Sequence, residues 1–360
     1  MRVEKNARGE TRIVEPGPLL DDEGKLAVAG YATQPLLRYD RSKVAANPLR
    51  LKEWDYYLVY DADFALALTI ADLGYVGMVS ASVVDLRNAT FVTTSELAVL
   101  PLGRMRLPHS SDRGVTAFSN NRVTMGFTVA DGLRHLSVEF ERFNGDETLT
   151  AEMVLDKEPA DSMNIATPWE GRPKAFYYNR KIPAMRVMGG FNLGPIDHTF
   201  EPTTAHGLLD WGRGVWTYDN MWYWSAAQGK LDGHVFGMNL GYGFGDTSAA
   251  SENMVFVDGI AHKLGRVDFG IPKKPCWDTA RMVGDAYDLM KPWRFTDDEG
   301  RLDLVFTPIL DRCDLMDFKA VVTDQHQVFG RFDGTVVLDD GSVFDVRQLI
   351  GFAEAVHNKY

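Results

Sequence analysis

The sequence is poor in the features that would name a chemistry directly. Cysteine is scarce: 360 residues carry two, Cys276 and Cys313. They form no C-x-x-C pair and are too few for a disulfide framework, so both thiols are expected to be reduced and buried. Excess positive charge is absent. The formal net charge is −12. Nucleic acid needs a basic surface to neutralise its phosphates, so no nucleic-acid partner is expected. An anionic membrane surface is expected to be repelled for the same reason. Long apolar runs are absent as well. The richest region, FALALTIADLGYVGMVSASVV, is broken by Asp72 and by Leu73-Gly74. It reads as two strands and a turn rather than a membrane span. The first residues, MRVEKNARGETRIVEPGPLLDDEGK, lack the apolar stretch of a secretory signal. The expectation is a cytoplasmic protein without integral membrane association.

Motifs with a fixed chemistry are missing too. There is no G-x-S-x-G elbow and no H-E-x-x-H, so the residues of the common serine hydrolases and zinc proteases are not there. The histidines are dispersed and none stands at metal-ligand spacing, so no metal is expected. GYGFGD (241–246) departs from G-x-G-x-x-G, and no helical pattern follows it. A phosphate-cradling helix start is therefore lacking, and no nucleotide or other cofactor is expected.

What is present is alternation. Apolar residues recur with a period close to two in EWDYYLVYD (53–61), FALALTIAD (64–72), YVGMVSASVVDL (75–86), RVTMGFTVA (122–130), RHLSVEFER (134–142) and ETLTAEMVLD (147–156). These runs are rich in Val, Tyr, Phe and Thr and end at turn-forming residues. DADF (61–64) falls between two of them, where aspartates make turns. The pattern resumes after a polar, proline-bearing stretch at 157–174, through KAFYYNRK, AMRVMGGFNL, NMWYWSAAQ, GHVFGMNLGYG and RLDLVFTPIL. In TVVLDDGSVFDV, Asp-Gly between alternating runs signals a hairpin. Helical periods are few: a short one near TTSELAVLPLG, a mixed one in CWDTARMVGDAYDLMK (276–291) and VRQLIGFAEAVHNKY (346–360) at the end. The prediction is an all-β protein of antiparallel meanders closing into two barrels, with few short helices and a C-terminal helix. Its domains are placed at 1–165 and 166–360.

The densest stretch is LLDWGRGVWTYDNMWYW (208–224), which holds Trp211, Trp216, Trp222 and Trp224. Trp222 and Trp224 share one strand face. They either line a cavity inside a barrel or pack between the two barrels. Asp210 and Arg213 are unusual core residues unless paired. A buried Asp210 would be a general acid; an ion pair with Arg213 would leave it structural. His206 and Tyr218 are further proton-transfer candidates. His234, Asn239, Glu252 and Asn253 are polar residues placed to orient a ligand. Glu53 and Asp55 share a face with Tyr57 and are expected to face water. So are Glu354 and His357, on the predicted helix.

Several separated pieces resemble the bacterial family called domain of unknown function 2804. They are GYATQPLLRYDR (30–41), KEWDYYLVYDADFALALTIADLGYVG (52–77), LDWGRGVWTYDNMWYW (209–224), ENMVFVDGIAHKLGRVDF (252–269) and GFAEAVHNKY (351–360). That family is distantly similar to the two-barrel lipocalin-like proteins, among them carotenoid hydratases and tocopherol cyclases. The Trp-Gly pair followed by an aromatic strand is similar to the tocopherol-cyclase pattern, with Leu209-Asp210 where that pattern has Lys-Asn. The resemblance implies a pair of calycin-type barrels and an apolar or amphipathic small-molecule ligand. The residues add a cofactor-independent acid–base reaction, hydration, isomerisation or cyclisation, as the leading expectation. A non-catalytic lipid-like carrier and a carbohydrate-active cleft are the alternatives.

Overall fold

A computed structural model describes residues 1–317 and 322–359. The strands follow the alternating runs closely: Leu51–Tyr60, Phe64–Asp72, Val76–Asp85, Val123–Ala130, Leu133–Asn144 and Glu147–Asp156. Asp61 makes the turn of DADF, its Oδ1 accepting from the amides of Asp63 and Phe64. The Asp-Gly hairpin forms as well, joining Val322–Val337 to Val343–Lys359 through Leu338–Ser342.

Two large sheets result. The first has 15 strands and extends from Val3–Lys5 to His206–Val215. The second has nine, from Asp219–Leu231 to Val343–Lys359. Apart from one short parallel contact in the first sheet, between Arg12 and Tyr31, every pairing within these two sheets is antiparallel. Each sheet curls around its own apolar core. Tyr57, Leu66, Leu68, Phe127, Phe140 and Phe191 belong to the first core. Phe236, Trp293, Phe295, Phe306 and Phe332 belong to the second. The fold is therefore an all-β pair of curled, lipocalin-like barrels.

One strand does unusual duty in the first sheet. KAFYYNRK and AMRVMGGFNL form a single strand, Phe176–Leu193, irregular between Ile182 and Met185. Its first half pairs with Met163–Pro168 and His206–Val215, its second half with Glu147–Asp156 and Ile196–Phe200. Gly189 and Gly190 make the crowding possible: a Cβ on either would lie 2.1 Å from a neighbouring strand's carbonyl oxygen.

Several expectations are corrected. The C-terminal segment is not a helix but the strand Val343–Lys359, flanked by Val322–Val337 and Asp219–Leu231. Its Ala, Glu and Leu suit a helix locally. Between two strands, however, both of its backbone edges are paired, and tertiary context overrides propensity. TTSELAVLPLG likewise contributes to a strand, Thr90–Val99. The one α-helix among the described residues is four residues long, Val283–Ala286. The sheets part at Trp216–Tyr218, whereas the 157–174 stretch holds a strand of the first sheet, Met163–Pro168. Both cysteines are exposed rather than buried.

The barrels meet through their outer faces. Leu58, Tyr60, Ala67 and Leu208 of the first pack on Trp224, Ala226, Phe329 and Phe352 of the second. A second inter-barrel cluster joins Tyr31, Ile165, Tyr177 and Trp216 to Phe244, Met254 and Phe256. Tyr60 locks the contact, donating its hydroxyl to the Ile350 carbonyl (3.0 Å) and accepting from the Gln228 amide (2.9 Å).

Candidate functional site between the barrels

Two polar cross-strand rows stand between these apolar clusters. Residues opposite each other in a ladder project to the same side of the sheet. In the first barrel, Lys181 is opposite Asp210, and Asp210 is opposite Tyr56. In the second, Trp224 is opposite Glu354, Glu354 opposite Gln327, and Gln327 opposite Arg312. The rows face each other. Lys181 Nζ sits 3.6 Å from the centre of a Trp224 ring, and Gln327 Nε2 donates to Tyr56 Oη at 3.3 Å. The site thus takes residues from both barrels and exists only when they are docked.

Asp210 is buried and well supplied with donors. It accepts from Lys181 Nζ (2.8 Å), Asn179 Nδ2 (2.5 Å) and Trp54 Nε1 (3.2 Å). Glu354 is set differently. Its partners are neutral: Gln327 Nε2 at 2.6 Å and Trp222 Nε1 at 3.4 Å. Burial pushes its carboxyl up to about 7, against smaller opposing effects of Gln327, Arg312 and Lys181. Glu252 is also raised by burial, although Lys181 and Asn239 oppose the shift. Glu252 Oε2 and its own carbonyl both accept from Asn239 Nδ2, and Asn239 Oδ1 accepts from Trp224 Nε1 at 2.8 Å. Glu252, Glu354, Trp54, Tyr56 and Trp222 each keep partial accessibility.

The walls are aromatic. Trp216 meets Trp54, Trp222 and Phe244 edge-on, with ring centres 5.3, 5.9 and 4.8 Å apart. Trp54 stacks on Tyr177. Such rings give a rigid apolar lining and present π faces to positive charge.

Asp210, Trp216, Trp222, Trp224, Asn239 and Glu252 therefore converge on one place. The other residues singled out from the sequence do not. Arg213 is three positions from Asp210, so it points to the opposite face and enters the first barrel. There it binds Asp55 (3.1 Å) and the carbonyls of Trp54, Gly212 and Pro108, and it lies over Trp211. The expected pairing of Arg213 with Asp210 is replaced by two separate pairs, Arg213–Asp55 and Lys181–Asp210. Glu53 and Asp55 are accordingly buried rather than facing water. Trp211 packs inside the same barrel against Tyr39 and Tyr178. His206 shares the Asp210 face but lies four residues along the strand, ~13 Å at ordinary strand rise. Burial lowers its pKa, favouring the neutral ring. Tyr218 is exposed in the link between the sheets, and His234 pairs with Asp258 on the surface. Asn253 bridges the Gly241 amide and the Gly265 carbonyl within the second barrel. His357 is held by Asp219, 2.7 Å away.

Lys181, Asn179, Trp54, Tyr56, Gln327 and Glu354 were not selected from the sequence. Glu354 carried the one available signal, an acidic residue in an otherwise apolar GFAEAV run, and the helical reading of that run sent it to solvent. Elsewhere, a groove of about 500 Å³ lies on the outer face of the first barrel, lined by Thr124, Glu139, Glu152, Asn192 and His198 among others. It lacks the aromatic walls of the inter-barrel site. Among the described residues no group of three His, Cys, Asp or Glu is placed to hold a metal ion, and no helix is long and apolar enough to cross a membrane.

The chain belongs to the family described as domain of unknown function (DUF2804), whose model matches residues 10–360. Among solved structures it is similar to a provisionally assigned AttH from Nitrosomonas europaea, with 16% identity and a TM-score of 0.50, covering 90% of this chain and 98% of that one. It is also similar to kievitone hydratase from Nectria haematococca, with 12% identity and a TM-score of 0.45, covering 89% and 92%. The first likeness, at that identity, concerns the fold alone. No curated protein matches the chain.

Proposed function

We propose that this protein is an enzyme that performs cofactor-independent acid–base chemistry on an apolar or amphipathic small molecule held between its two barrels. The observation that carries this reading is the contrast between Glu354 and Asp210. Glu354 is pushed up to about 7 among neutral donors, while Asp210 stands next to Lys181 and two further donors. Two buried carboxyl groups in one site, one beside an ammonium group and the other among neutral donors, are the usual arrangement of an acid and its complementary base.

In this reading Glu354 delivers its proton to a carbon–carbon double bond of the ligand. The positive charge that develops lies among Trp54, Trp216 and Trp222, whose π faces attract it and whose bulk limits water. Asp210 takes the compensating proton, either from an entering water, giving hydration, or from a neighbouring carbon, giving isomerisation or ring closure. Lys181 orients Asp210. Glu252 and Asn239 hold a polar group at the ligand's other end.

The test begins with native mass spectrometry of the purified protein, to identify a co-purifying ligand. Turnover of that compound is then followed in the wild type and in Glu354→Gln. Retained binding with lost turnover supports the assignment. Normal turnover in Glu354→Gln removes it, and a bound but never converted ligand favours the carrier function instead.

A further inference from the structure

One rim of the first barrel is built against ordinary folding logic. Leu97, Val99, Leu100 and Leu102 are 62%, 81%, 45% and 41% exposed. The rim continues through the turn at Gly74. The Leu100 and Leu102 amides donate to the carbonyls of Tyr75 and Gly74. On the other side of that turn stands Leu49, 40% exposed, so close that a Cβ on Gly74 would lie 2.9 Å from its carbonyl carbon.

The backbone here is as unusual as the exposure. Leu100 and Leu102 have φ of 48° and 51°, a left-handed conformation that bulky side chains rarely adopt. The other nine non-glycine residues with positive φ among the described residues are Ala, Asp, Arg, Lys or Gln. Strained backbone therefore holds two leucines outward, where they serve no core. The loop is stiff enough to do so. Gly103 N donates to Asp72 Oδ2 at 2.7 Å, and Arg104 clasps the carbonyls of Pro101 and Leu100.

Charge identifies the occupant. Exposed Arg104 and Arg106 flank the leucines directly. The net charge of −12 describes the whole surface, but screening confines each charge to about 8 Å at physiological ionic strength, so the local patch governs contact. A rigid apolar tip with two exposed arginines beside it is the pattern of a segment that inserts at the headgroup boundary of an anionic bilayer.

We infer that the 97–106 rim docks the protein peripherally on anionic lipid membranes. The docking does not depend on the proposed chemistry, but the two fit spatially. Arg50, beside Leu49, donates to the carbonyl of Trp216 at 2.6 Å. The rim thus lies at the end of the first barrel that carries the aromatic wall, where a membrane-dissolved amphipathic ligand would be presented.

Vesicle co-sedimentation of the full chain tests this, with phosphatidylcholine alone and with equal parts phosphatidylcholine and phosphatidylglycerol. Wild type is expected to sediment with the mixed vesicles, and less so as salt is raised. Leu100→Asn/Leu102→Asn relieves the left-handed strain, so the variant is expected to melt no lower than wild type while vesicle binding falls about tenfold or more. Arg104→Gln/Arg106→Gln is expected to remove the preference for anionic vesicles. Absence of wild-type sedimentation with either vesicle overturns the inference. So does retained binding in the leucine variant, or a dimer in solution that the same substitutions dissociate, which would give this rim to a second copy.

Discussion

The strand His206–Val215 carries two polar groups on opposite faces, and their difference separates structure from chemistry. Inside the first barrel, Arg213 is fully buried against Asp55, with Glu53 near by and bound by Arg41 and Tyr39. Carboxylates there meet guanidinium groups, and each charge is answered. On the outer face, Lys181 answers Asp210, but Glu354 and Glu252 are held by neutral amide and indole donors. Where burial outweighs the pull of nearby cations, a carboxyl is pushed toward its neutral form and can release a proton at neutral pH. A closed ion network stabilises one conformation. An incompletely compensated one, lined by aromatic rings, retains a proton to give.

The largest effect is expected inside the first barrel. Arg213→Met would leave Asp55 buried without its cation, and it is expected to lower unfolding stability by about 3–5 kcal/mol in a denaturant titration. A loss well below that would mean the inner network is not a closed structural unit.

Glu354→Gln should do the reverse. Turnover is expected to fall by about 10²- to 10⁴-fold while the fold persists. The sign of its stability effect follows from linkage. Glu354 is raised in the folded state from 4.5 to about 7, so ionising it opposes folding. That cost is absent below 4.5, grows as pH rises through the interval and is complete above about 7. Glutamine removes it, so at alkaline pH the variant is expected to be more stable than wild type by up to about 3 kcal/mol, with little difference in acid. Melting curves across pH measure this, and a variant less stable at alkaline pH would contradict the buried-acid assignment.

A smaller effect is expected from Trp222→Phe. The ring face remains but the indole donor to Glu354 is lost. That donor lowers the Glu354 pKa, so the alkaline limit of the pH–rate profile should move upward, with a loss of about 1 kcal/mol or less in stability. The smallest effect is expected at His206. Although it shares the Asp210 face, His206→Gln should leave turnover of the co-purified ligand unchanged. A large loss there would extend the site along the strand and weaken the contrast between the two faces.

How much of this was legible beforehand differs between strand and site. Alternation located most strands within a residue or two. Of the residues singled out from the sequence as site candidates, Asp210, Trp216, Trp222, Trp224, Asn239 and Glu252 lie together between the barrels. Arg213 was misplaced for a reason the sequence already contained, because residues three apart on a strand point to opposite sides. Lys181 and Asn179 stand in a run that reads as an ordinary strand, and nothing local sets them apart.

What the sequence determined by itself is the period of two, the turns and the two faces of each strand, because these depend on neighbours within a few residues. It thereby set an all-β chain and separated Asp210 from Arg213. What only the tertiary structure decided is which of those faces looks toward the other barrel, and which distant residues meet there. Glu354 reaches Trp222 and Gln327 because the last strand inserts between two others in antiparallel register. Asp210 meets Lys181 through a ladder formed across 29 residues. The local pattern of that last strand favours a helix. Its pairing on both edges, and the burial of Phe352 against the first barrel, make it a strand and bring Glu354 to the site.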